Sequence, residues 1–158
     1  MATLSERYIV RCPYHLAQRY LAETVALAAE SGTESILTLT ASELGIALSK
    51  DVLVTFGLAV DPMHFDQPWR IHWEPQAGPY PDFDGELTVR ADETYKTSLL
   101  ELQGSYRPPG GALGAAFDWA AGSRIATATA QALLRRIGNE MEARYSRDEL
   151  AKQTPAAS

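Results

Sequence analysis

Cysteine is nearly missing from the chain: Cys12 is the only one in 158 residues. A single thiol closes no intramolecular disulfide and builds no cysteine metal cluster, which fits a reducing cytoplasm. Its place beside Pro13 reads as that of a small buried hydrophobe rather than a reactive thiol. Histidine is scarce as well, and His15, His64 and His72 stand in none of the short spacings that hold zinc. No window comes near the roughly 18 apolar residues that span a bilayer, so no membrane insertion is expected. Met1 to Val10 lacks the positive stretch and long apolar run of a secretory signal, and the expected location is cytoplasmic. Positive charge is also short, with 14 Lys plus Arg against 20 Asp plus Glu for a formal charge of −6. That balance argues against a strongly basic nucleic-acid binder.

What remains is a composition of ordinary soluble globular type, 46% hydrophobic and 22% charged, sufficient for one independent core. The spacing predicts a short strand over Glu6 to Arg11. Pro13 then ends strand pairing and opens a helix over Tyr14 to Glu30, which Ser31-Gly32 stops. Ser35 to Ala41, Asp51 to Val60, Trp69 to Trp73, Glu86 to Ala91 and Tyr95 to Tyr106 read as strands, with polar or proline-rich turns between them. The clearest two-faced pattern sets Trp69, Ile71 and Trp73 against Arg70, His72 and Glu74. Pro108-Pro109-Gly110-Gly111 ends the sheet. From Ala112 to about Tyr145, Leu113, Phe117, Ala121, Ile125, Ala128, Ala132, Ile137 and Met141 follow one side of a long helix that Gly122 is able to break. Its other side carries Arg135, Arg136, Glu142 and Arg144, with Glu140 and Arg144 placed as an i,i+4 pair. The domain is expected over residues 1–146, with 147–158 as a flexible tail.

The order of elements is strand, helix, five consecutive antiparallel strands and a long helix. This is an α+β pattern, in which a curved sheet hides one face against the final helix. A sheet that grips a single helix tends to leave a cavity between them. The segments Phe83-Asp84-Gly85-Glu86-Leu87 and Leu102-Gln103-Gly104-Ser105-Tyr106, the Pro108-Pro109-Gly110 turn, Leu113-Gly114 and Asp118 resemble the START-like, or SRPBCC, superfamily. That group includes birch-pollen-allergen-like proteins, polyketide cyclases and lipid-transfer domains. The resemblance spans about Glu6 to Tyr145. It implies a helix-grip fold, with a curved antiparallel β-sheet wrapped around a long C-terminal α-helix. It carries over no catalytic residue.

On that basis the expected function is binding of a hydrophobic or aromatic small molecule, lipid or polyketide-like, between sheet and helix. The candidate ligand-binding residues on the strands are Phe56, Trp69, Ile71, Trp73, Leu87, Val89, Leu100, Leu102 and Tyr106. Phe117, Asp118 and Ile125 join them from the terminal segment. Tyr106 offers a polar handle, and Asp118, set in an apolar stretch, needs a polar partner. Burying some 200 Å² of apolar ligand surface is worth roughly 5 kcal/mol before ordering costs. A second class is a cofactor-independent cyclase, dehydratase or aromatase, for which only Tyr106, Asp118 or His72 offer acid–base chemistry. A third is a protein-binding module without a ligand, using the exposed side of the last helix at Arg135 and Arg136. His72 with Arg70 and Glu74 reads as an external polar network, and Asp82, Asp84 and Asp92 as solvated turns. Gly110 to Gly114 lacks the Lys-Ser or Lys-Thr of a phosphate loop, and no Gly-x-Ser-x-Gly is present. No metal and no cofactor is expected, and the chain reads as a monomer or weak homodimer.

Overall fold

The computed structural model describes residues 2–30, 35–39, 52–56, 69–75, 82–94, 96–107 and 119–153, with side chains over 2–25, 69–73, 82–94, 96–107 and 122–153. Strand β1 (Ala2–Val10) alternates as its pattern requires, with Leu4 and Val10 buried and Thr3, Ser5, Arg7 and Ile9 exposed. The chain then turns on Pro13, whose carbonyl accepts from the amides of Leu16 and Ala17 and so starts helix α1 (Tyr14–Glu30). Ala17, Tyr20, Leu21 and Val25 form its buried face at helical spacing.

Strands β2 (Ser35–Leu39), β3 (Val52–Phe56), β4 (Trp69–Pro75), β5 (Asp82–Ala91) and β6 (Ser98–Arg107) follow. They form one antiparallel sheet in the order β1-β6-β5-β4-β3-β2. The first strand therefore pairs with the last, and the two strands adjacent in sequence, β1 and β2, become opposite edges. Helix α1 lies on the connection between those edges and packs against β2 and β5. Helix α2 (Trp119–Gln153) packs against β1, β6 and α1. This is the helix-grip arrangement, a curved antiparallel sheet holding a long C-terminal helix.

Four details depart from the sequence reading. Strand β1 begins at Ala2, four residues before the expected Glu6, because Ala2 to Ser5 pair with Gln103 to Tyr106 of β6. Strand β5 begins at Asp82, so Asp82 and Asp84 are strand residues and not turn residues; the segment Asp82–Gly85 pairs with Gly104–Arg107 of β6. Helix α2 runs unbroken through Gly122 and continues over residues 147–153, where a frayed tail is expected. Asp148 explains that extension, because its carboxylate accepts from the Tyr20 hydroxyl and lies 3.6 Å from Arg19, tying the last turns to α1. Arg144 does not pair with Glu140 on an exposed side. It is largely buried and reaches Glu23 of α1 at 3.5 Å.

Candidate functional site

The register sorts the strands into rows that cross the sheet. Ala2, Tyr106, Phe83 and Trp73 stand in line; Leu4, Gly104, Gly85 and Ile71 form the next row; Glu6, Leu102, Leu87 and Trp69 the third; and Tyr8, Leu100 and Val89 the fourth. Residues directly opposite one another share a face, and the buried members of these rows belong to the core cluster with α1 and α2. The covered, concave face therefore brings together Trp69, Ile71, Trp73, Leu87, Val89, Leu100, Leu102 and Tyr106. Ile125 of α2 packs against the same cluster, partly buried. The backbone of Phe56 stands opposite Ile71, while its side chain lies outside the described residues. Phe117 and Asp118 also lie outside them.

The sequence reading missed Phe83. It is fully buried and stacks on Trp73 with ring centroids 4.1 Å apart and an interplanar angle of 16°. Such a pair contributes about 0.5–1.5 kcal/mol beyond its burial. Two glycines make room for it: a Cβ on Gly85 or Gly104 would overlap the Phe83 ring as well as neighbouring backbone. Glycine weakens a strand interior unless something else occupies its side-chain space, and here an aromatic ring does. The spacing Phe83, Gly85, Leu87 was the available signal, an alternation whose middle member is small.

Helix α2 lies along β1 in the same direction. Gln131 reaches Glu6 at 3.4 Å, Gly138 closes on the Tyr8 ring, Asn139 accepts from the Tyr8 hydroxyl at 3.4 Å, and Glu142 accepts from the Arg11 amide at 2.9 Å. The earlier turns of the helix are thus carried toward the rows of Leu4 and Ala2. Their buried side chains are small, Ala126, Thr129, Ala130 and Ala132, whereas the buried side chains that follow are Leu133, Leu134, Ile137 and Met141. Ala126 and Ala130 of these turns belong to the same core cluster as Trp73, Phe83 and Tyr106.

Most polar groups in this interior are satisfied internally. The Thr129 hydroxyl donates to the Ile125 carbonyl at 2.7 Å, and the Ser98 hydroxyl donates to the Cys12 carbonyl at 2.7 Å. Trp73 differs: its side chain is fully buried and its Nε1–H has no partner. A buried donor left unpaired costs on the order of 1–3 kcal/mol and is uncommon in native interiors. Burial, followed by the negative charge of Glu142, pushes the Cys12 thiol from 9.0 up to about 11, consistent with an inert buried side chain.

The convex face is charged. His72 lies there, its Nδ1 2.8 Å from Asp84, which also takes Arg107 at 2.9 Å. The imidazole is thus on the face opposite Trp73, in a cross-strand network built on Asp84. Glu101, nearly inaccessible, is held by Arg7 at 3.1 Å and Arg90 at 3.7 Å and accepts from Gln103. Among the described strand residues, the one acid at an inward register position is Glu6, on the edge strand.

No family model matches the chain, and no curated protein matches it in sequence. Solved structures do share its architecture. The Thermus thermophilus protein TTHA0849 is 11% identical over 90% of this chain and 98% of its own, with a TM-score of 0.51. The ZhuI aromatase/cyclase of a Streptomyces species is 13% identical over 90% of this chain and 94% of its own, also with a TM-score of 0.51. At that identity the likeness concerns the backbone, and the protein shares the helix-grip fold of these structures.

Proposed function

We propose that the protein binds a hydrophobic or aromatic small molecule between the concave face of its sheet and the first half of α2, as the START-like resemblance implies. One observation carries this reading: the outermost described row of the concave face holds Trp73, Phe83 and Tyr106, and the helix turns that run toward that end bury only the small side chains of Ala126, Thr129, Ala130 and Ala132. Large flat side chains opposed by methyl groups leave thickness for a flat guest, and a guest restores the contacts that a void forfeits. The fold shared with an aromatase/cyclase supports the same location.

Catalysis of the cyclase or dehydratase kind needs an acid and a base beside the substrate. The inward positions of the described strands supply the phenols of Tyr8 and Tyr106 and the edge carboxylate of Glu6, and the Tyr8 hydroxyl already donates to Asn139. Binding is therefore the reading we place first. The test is a titration with anilinonaphthalene sulfonate, followed by dye emission and by tryptophan fluorescence. Saturable binding is expected, weakened at least tenfold by Trp73→Ala. A folded sample that shows no saturable change overturns the proposal.

A further inference from the structure

Among the described residues two buried polar atoms lack a partner, Arg144 Nε and Trp73 Nε1. Arg144 still spends its guanidinium on Glu23. The indole of Trp73 has a single polar atom, a donor only, so its entire hydrogen-bonding capacity is unmet. Its ring is also fixed in place. It stacks on Phe83, and Phe83 is seated over Gly85 and Gly104, where no side chain competes for the space. The result is a preorganised donor on a rigid aromatic platform, of the kind that selects a ligand by orientation.

We propose that the ligand is a planar aromatic molecule carrying a hydrogen-bond acceptor, a ring carbonyl or phenolic oxygen, and that Trp73 selects it through Nε1–H. This rests on the binding reading above and narrows it to a chemical class. A purely hydrocarbon guest fills the space but leaves the indole donor unpaired. A guest with an oxygen at the right edge gains the missing hydrogen bond at a fully buried donor. Sites built to hydrogen-bond a substrate discriminate strongly against analogues lacking that group. A single buried hydrogen bond is expected to give about a tenfold preference.

Fluorene and 9-fluorenone form the decisive probe pair, since both are flat tricyclic molecules and differ by one carbonyl. The native protein should bind fluorenone about tenfold more tightly, and Trp73→Phe, which keeps an aromatic ring, should bring the two affinities together. With nitrogen-15-labelled native protein, fluorenone should shift one indole N–H proton of the three tryptophans downfield and fluorene should not; the Trp73→Phe spectrum assigns that signal. This second readout needs no folded variant. Equal affinities in the native protein, a preference that survives Trp73→Phe, or an unmoved Trp73 signal on fluorenone binding each overturn the proposal. If the naphthalene dye still binds in those cases, the binding reading stands without it. If the dye and both probes fail to bind the folded protein, the binding reading fails as well.

Discussion

The two halves of α2 do different work. From Leu133 onward the helix is bonded into the molecule: Leu133, Leu134, Ile137 and Met141 are buried, Gly138 admits the Tyr8 ring, and Arg144 and Asp148 reach α1. Before Leu133 the buried side chains shrink to Ala126, Thr129, Ala130 and Ala132, although the end of the sheet toward which these turns run carries its largest aromatics. One half closes the fold, and under the binding proposal the other faces the guest. In that reading a single helix acts as structural anchor and as cavity wall, with the division set by side-chain volume along one face.

The contrast is most directly broken by a pair of substitutions one turn apart. Leu133→Ala should cost about 2–5 kcal/mol in denaturant unfolding, the usual range for emptying a tight site. Ala130→Leu should cost less than the ~1–3 kcal/mol typical of overpacking while sharply reducing dye binding, because under the binding proposal the added atoms enter the space of the guest. If Ala130→Leu proves as damaging as Leu133→Ala, both halves are packed alike and the contrast is false. A smaller effect sharpens the anchored half. A Cβ on Gly138 would lie 2.5 Å from the Tyr8 ring, so Gly138→Ala should lose about 1–3 kcal/mol, measured by the same unfolding curves, with dye affinity retained.

The smallest effect concerns pH. Cys12 is buried, and Glu142 of the anchored half adds to the rise of its thiol from 9.0 to about 11. A group raised in the folded state contributes stability that is complete below its unfolded pKa and is lost as pH climbs through the folded value. Stability should therefore hold up to about pH 9 and fall between there and pH 11, a decline that Cys12→Ala reduces. At pH 8 a thiol reagent should modify Cys12 only as fast as the protein opens. Rapid modification of the folded chain would show that this end of the helix is not closed.

Element order was readable because periodicity depends on local geometry: Tyr14–Glu30 is helical as its spacing predicts, and each of the five later strands overlaps the segment that alternation marks. The strand residues named as cavity lining share a face because alternate positions do, whichever face is chosen. What escaped were long-range matters. Phe83 was passed over because alternation was read only from Glu86 onward, and the ring that fills the space over Gly85 is a tertiary feature. The exposed role assigned to Arg144 failed because its partner, Glu23, lies on another helix. The continuation of α2 past Ser146 depends in the same way on Asp148 meeting Tyr20 and Arg19.

The sequence by itself determined the alternation of strands, the two helices and the apolar character of one sheet face, since these follow from backbone periodicity and burial. Only the tertiary structure decided that β1 joins β6, that two glycines seat Phe83 beneath Trp73, and that the buried indole donor has no partner. Each of those depends on which residues meet across a large gap in the chain, and volume and hydrogen-bond satisfaction are properties of such meetings rather than of any single segment.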